Sequence, residues 1–188
     1  TRKDLVLGLG LSGRVLPFLS GMTQIVEYAS GLEEGATIPA PIAARIRSDV
    51  FSRDFDEVQR PILTIILDEM RHLTGDDALS GAEILSPQTD EATSALVDAM
   101  LQRTEMLDGE ARLALASAGP RGIEASDDPF VVLARGLMRE RAARDLREET
   151  RDGARLVVGR RWIEAQQEWR GKSFYPDANS TMRVSIAS

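Results

Sequence analysis

Gly8-Leu9-Gly10-Leu11-Ser12-Gly13 follows a Gly-x-Gly-x-x-Gly pattern. In a dinucleotide site such glycines allow a tight turn and bring a pyrophosphate against a helix N-terminus. Leu5 to Leu7 would supply the preceding strand, and Glu27 stands about where a ribose-binding acid is expected. That chemistry also needs strands alternating with helices, which the rest of the chain lacks, so a closely packed, glycine-rich helical start is the better reading. His72 is the only histidine and follows Asp68 and Glu69 on one predicted helix. A metal site needs more ligands in suitable geometry, so His72 reads as a partly exposed or packed side chain. There is no histidine-glutamate-x-x-histidine, phosphate loop or Gly-x-Ser-x-Gly elbow. The paired acids Asp76/Asp77 and Asp127/Asp128 read as turn and cap residues. Trp162 and Trp169, seven apart on a predicted helix, read as packing against a neighbour. Thirty acids are present, but spacing singles out no pair for glycoside chemistry. No catalytic residue, cofactor or metal ligand is assigned within the chain.

The elements that would carry such residues are helical. The 188 residues suit one domain or a large piece of a bigger protein. Hydrophobic residues make up 43% and charged residues 28%, enough to bury a core. Aromatics at 5% fit a helical core of Leu, Val, Ile and Ala better than a β-sandwich. The absence of cysteine excludes a disulfide scaffold, a cysteine-zinc site and a cysteine nucleophile. A net charge of -7 argues against a nucleic-acid partner. No apolar run approaches the roughly 18 residues of a membrane span. The chain starts at Thr1 without a methionine or clear signal peptide and stops within a strand-like run, so a segment of a longer protein is expected.

Apolar residues from Val15 to Tyr28 suit one buried helix or two short ones, with Gly31 as a stop. A loop over 31–41 leads into a short helix near 41–50. Asp54 and Glu57 resemble a capping box, and Pro61 belongs in the first turn of a helix. Ile62 to Leu73 then give a strongly apolar helix closed by Gly75. Thr89 to Leu107 predicts an amphipathic helix with Ala92, Ala95, Leu96, Ala99, Met100 and Arg103 along or beside its buried stripe. Asp108 can cap the next helix, which should stop near Gly119-Pro120. Ser126-Asp127-Asp128-Pro129 is a strong helix start, and the pattern runs on to about Arg170.

Residues 139–155 hold eleven charged side chains, with Arg141/Asp145, Glu140/Arg144 and Arg144/Glu148 as helix-neighbour pairs, and read as a solvated helix middle. Residues 76–128 carry a net charge of -9 and residues 135–161 a net charge of +4, which suggests attraction between them. No fixed repeat supports a solenoid. After Gly171, Phe174 to Asn179 is turn-forming, and Thr181 to Ile186 alternates as a half-buried strand does. A lone strand needs a sheet, so a β domain is expected beyond residue 188.

Ser173-Phe174-Tyr175-Pro176-Asp177-Ala178-Asn179-Ser180-Thr181-Met182-Arg183-Val184-Ser185 closely resembles a motif of bacterial dipeptidyl aminopeptidases, serine peptidase family forty-six. Ser126-Asp127-Asp128-Pro129 and, more weakly, Arg53-Asp54-Phe55-Asp56 resemble the family in the expected order. The first fifty residues carry no such anchor. The resemblance implies a parent with a chymotrypsin-like double β-barrel, a Ser-His-Asp triad and an α-helical cap that leaves room for only a dipeptide before the scissile bond. It implies a mainly α fold here, with a cap over 1–171 and a junction plus first barrel strand over 172–188. No triad motif is present, so no triad residue is transferred. Tyr175, Pro176, Asp177 and Asn179 match the junction motif, where Asp and Asn bond local backbone and Pro stiffens the turn. The implied partners are the parent's barrel and a peptide substrate, in a periplasmic or secreted setting. An unpaired strand could join a second copy and give a homodimer. The rival readings are a stand-alone helical protein-interaction module and, more remotely, a nucleotide-binding protein using Gly8, Gly10 and Gly13.

Overall fold

A computed structural model describes residues 2–33, 35–49, 52–75, 78–79 and 93–170. The chain is mainly helical, and the described residues contain no strand. The helices are α1 (Arg2–Gly10), α2 (Pro17–Ser30), α3 (Ala40–Arg47), α4 (Arg60–Arg71), α5 (Thr93–Arg103), α6 (Gly109–Ser117), α7 (Gly119–Ala125) and α8 (Pro129–Arg170), with a π-helical turn at Phe55–Gln59. Two compact units divide the chain between Ala143 and Arg144, within α8.

The first unit is built around α2, whose Phe18, Leu19, Met22, Val26 and Ala29 are all buried. Phe18 sits edge-to-face against Phe55 of the π turn and Phe130 of α8, with ring centroids 5.2 and 5.1 Å away. That geometry sets the positive rim of one ring against the negative face of the next. Helix α4 adds Leu63, Ile66, Leu67 and Met70, spaced three and four apart on one face. Helix α5 adds Val97 and Met100, α7 adds Ile123, and the start of α8 adds Leu133, Ala134 and Leu137.

Several helix ends are held by side chains distant in sequence. Helix α2 starts at Pro17 without a cap from Leu16, so its first amides need another acceptor. Buried Gln59 supplies it: Oε1 accepts from Phe18 N at 2.8 Å, while Nε2 donates to Arg53 O at 3.0 Å. Arg135 donates to the carbonyls of Ile123, Glu124 and Ser126, closing the C-terminus of α7. Asp108 accepts from Ala111 N at 2.9 Å as the expected cap of α6. Asp128 accepts from Phe130 N and Val131 N and so opens α8, and its other oxygen accepts from Thr104 Oγ1 at 2.8 Å.

Some expectations need correction. Asp54 and Glu57 do not form a capping box. Asp54 is left-handed (φ 52°) with no side-chain cap bond, and a π turn precedes α4. Pro61 lacks the N–H that would continue a regular helix from residue 57, so the wider turn absorbs the mismatch before Pro61 enters the first turn of α4. Met100 is buried and Ala95 and Leu96 half-buried as expected, but Ala99 and Arg103 are exposed, and Thr93 and Val97 complete the buried face of α5. Gly119-Pro120 ends one helix but also starts another: Gly119 turns the chain with φ 64°, and Pro120 suits the first turn of α7.

The second unit's described part is the stretch of α8 from Arg144 to Arg170. Arg144 approaches Asp145 at 3.4 Å and Glu148 at 3.7 Å. Arg155 pairs with Asp152 at 3.2 Å, and Arg160 with Glu164 at 2.9 Å. The exposed pairs of Arg155 and Arg160 contribute only about 0.3–0.5 kcal/mol each. Gly153 and Gly159 interrupt the helix propensity without ending the helix.

Candidate functional site

The Gly-x-Gly-x-x-Gly stretch does not form a strand, turn and helix. Gly8 and Gly10 lie inside α1, and Leu5 to Leu7 are helical. A Cβ on Gly10 would come within 3.1 Å of Met70 Cε, so its role is the close approach of α1 to α4. The structure thus supports the closely packed helical start and gives no dinucleotide fingerprint at this position.

His72 sits at the C-terminal cap of α4, exposed, with Nδ1 2.7 Å from the carbonyl oxygen of Asp68. A carbonyl only accepts, so Nδ1 carries the proton of this bond. The Asp68 carboxylate is 3.8 Å from Nδ1 and also accepts from the Thr93 hydroxyl, which in turn accepts from Arg71 Nη1 at 3.1 Å. A hydroxyl, an imidazole and a carboxylate thus meet, but in the wrong order for acyl transfer. The nucleophile should donate to the imidazole, which should lean on the carboxylate; here the hydroxyl donates its hydrogen bond to the carboxylate directly. This cluster ties α4 to α5. Among the described residues, no three or more His, Asp or Glu side chains gather as a metal site.

The least expected polar group is Arg112 in α6. It is fully buried. Its guanidinium donates to five carbonyls: Ile46 at 2.9 Å, Met106 at 2.8 Å, Leu107 at 2.9 Å, Arg47 at 3.3 Å and Ser48 at 3.0 Å. Desolvation pushes its pKa down, while Asp108 and Asp49 push it back up. Arg112 therefore fastens the C-terminus of α3 to the turn before α6. Gly109 lets the two backbones meet: a Cβ there would lie 2.5 Å from Arg47 O. The sequence signal was an arginine within Ala111-Arg112-Leu113-Ala114, four residues after the capping Asp108.

Near residue 140 the expected in-helix pairing is supplemented by bonds across the first unit. Glu140 meets Lys3 Nζ at 2.9 Å with both side chains about nine-tenths buried, and Lys3 also donates to Ala78 O at 2.9 Å. Arg141 reaches Glu27 at 3.5 Å. Only the later part of the 139–155 run is the solvated helix that its composition suggests.

The second unit carries a surface of opposite character. Ala154, Val158, Trp162, Ala165 and Trp169 recur every three or four residues and so line one strip of helix. Val158 is 65%, Trp162 64% and Trp169 81% exposed. For Trp162 the expectation of packing against a neighbour is not met among the described residues, since most of its surface is open. Their spacing records an apolar strip, but a helical period does not say which chain covers it. Arg151 and Arg155 border the strip and, with Val158, Gly159 and Trp162, line a shallow depression. Such a surface suits contact with another protein surface: an aromatic centre with arginines at its rim.

The junction residues Tyr175, Pro176, Asp177 and Asn179, the strand over 181–186 and the Asp76/Asp77 turn lie outside the described residues. Of the two weaker motifs, Arg53-Asp54-Phe55-Asp56 forms the left-handed corner and π turn that put Phe55 into the core, and Ser126-Asp127-Asp128-Pro129 forms the cap of α8. No described helix is long and apolar enough to cross a membrane. No curated protein and no solved structure matches the chain. The Peptidase S46 family model matches residues 42–187, from within α3 to beyond the Tyr175-Pro176-Asp177 run. On that match over most of its length, the chain belongs to the peptidase S46 family and is a dipeptidyl-peptidase-related domain.

Proposed function

We propose that this chain is the helical cap of a serine-type dipeptidyl aminopeptidase. In this reading residues 1–171 form the cap, and residues 172–188 form the junction and first strand of a chymotrypsin-like barrel. The cap shapes and closes one end of the cleft, so that two residues fit ahead of the scissile bond and dipeptides leave from peptide N-termini. Serine, histidine and aspartate for acyl transfer belong to the barrel, and the setting is periplasmic or secreted. The carrying observation is the exposed strip of Val158, Trp162 and Trp169, which lies just before the family's junction motif. Burying a tryptophan of this kind against a partner contributes on the order of 2 kcal/mol, enough for a few such contacts to fix a cap. Internal clasps such as Arg112 and Arg135 support the same reading, because a cap must hold its shape while peptides enter.

The test is a product analysis of the native peptidase in which Trp162→Ala and Trp169→Ala loosen the cap. Longer N-terminal fragments should then join the dipeptides. Unchanged, dipeptide-only cleavage at an unchanged rate would contradict the reading. Dipeptide release by the pure 188-residue chain, blocked by a serine-directed inhibitor, would contradict it equally.

The same strip also suits a stand-alone helical interaction module. The mass of the native gene product separates the two. A much larger protein that co-purifies with dipeptide-releasing activity supports the cap, and a complete product near 20.6 kDa supports the module.

A further inference from the structure

A groove runs between α2 and α3 in the first unit, far in sequence from the tryptophan strip. Gly21, Gln24, Ile25 and Tyr28 line one side, and Ile42, Arg45 and Ile46 the other. Both sets follow helical spacing, so each is one face of its helix. The groove is partly open and holds about 190 Å³, with Ile25, Ile42 and Ile46 as its apolar walls. A cavity of about 150 Å³ takes a benzene ring, so this one has room for one branched or aromatic side chain and not for a long alkyl chain. The α3 wall is fixed in advance, since the Ile46 carbonyl is held by buried Arg112.

Two polar groups stand among the lining residues. Arg45 Nη2 donates to the neutral Gln24 Oε1 at 2.6 Å, and no described carboxylate balances its charge. Its neighbour Arg47 is different, being paired with Glu110 at 2.6 Å. The half-buried Tyr28 hydroxyl has no hydrogen-bond partner among the described residues. An apolar slot of one-side-chain size, with an unbalanced guanidinium and an unused hydroxyl at its mouth, matches an apolar group that carries a carboxylate. We propose that the α2–α3 groove binds the C-terminal residue of a short peptide, the side chain among Ile25, Ile42 and Ile46 and the carboxylate on Arg45. Gln24 and Tyr28 then face the last peptide bond. This inference is independent of the cap reading.

The probe is the dipeptide Gly-Leu, added to the 188-residue chain with labelled isoleucine methyl groups and followed by NMR. The Ile25, Ile42 and Ile46 methyls should shift in a saturable way with Kd on the order of 1 mM, while those of Ile66 and Ile123 stay still. Gly-Leu amide, which lacks the carboxylate, should bind about tenfold to a hundredfold more weakly. Arg45→Gln should have the same effect at an exposed site that folding does not need. Ile42→Trp should fill the groove and abolish the shifts. No shift at about 10 mM peptide, or equal binding of the amide, would overturn the proposal. So would 4-methylpentanoate binding as tightly as Gly-Leu, because the peptide bond would then play no part. Shifts of the same methyls with protein concentration alone would overturn it in favour of a second copy in the groove.

Discussion

Arg112 has no exposed surface, whereas Trp162 keeps 64% of its surface open. The first belongs to the unit that ends at Ala143 and the second to the helical stretch from Arg144 onward. In the first unit a charged side chain is internal because the backbone needs its donors: five carbonyls near the ends of α3 and α6 accept from one guanidinium. In the second, large apolar side chains face outward, along a helix whose ion pairs are local and exposed. An inward cation with every donor used is a sign of self-sufficiency. An outward aromatic strip is a sign of a surface made for something else.

The largest effect should come from removing the inward cation. Arg112→Met keeps most of the volume but removes the donor from five carbonyls, those of Ile46 and Met106 in fully buried bonds. We expect a loss of about 4 kcal/mol or more in urea unfolding, and a loss below about 1 kcal/mol would remove Arg112 from the account. Lys3→Met should cost about 2–4 kcal/mol, because Glu140 would lose the ammonium that lies 2.9 Å away in a largely buried site. Near-native thermal stability would show that water replaces the lysine readily. Gly109→Ala should cost about 1–3 kcal/mol, since its Cβ would sit 2.5 Å from the Arg47 carbonyl oxygen. Gly10→Ala should cost less, as the atom in its way is the mobile end of Met70. Equal melting temperatures for the two alanine variants would deny the tight α3–α6 approach. The smallest effect belongs to the second region: Trp162→Ser should move the stability of the 188-residue chain by no more than about 0.5 kcal/mol. A larger loss would mean that Trp162 is already packed.

The two regions also differ in how far their sequence could be read. Signals that act within one turn were legible: Asp108 before α6, Asp128 before α8, Gly31 after α2 and the apolar face of Leu63, Ile66, Leu67 and Met70. Signals that act across the fold were not. Gln59 caps α2 from 41 positions away, and Arg112 reaches carbonyls more than 60 positions back, so no local window contains both partners. The Asp54–Glu57 spacing suggested a box, but Pro61 forced a π turn that spacing alone does not show. For the candidate site, the tryptophan spacing located an apolar strip and could not say whether it is covered. The family, by contrast, was legible from the run Tyr175-Pro176-Asp177-Ala178-Asn179, a contiguous stretch of residue types that falls within the matched range 42–187.

The most direct measurement is mass spectrometry of the fragments that the native peptidase releases from one defined peptide, compared with the variant carrying Trp162→Ala and Trp169→Ala. The account predicts dipeptides alone from the unaltered enzyme and a mixture with longer N-terminal fragments from the variant, at unchanged stability of the first unit. Dipeptides alone from both, at equal rates, would contradict the claim that the outward strip seats a cap over the cleft.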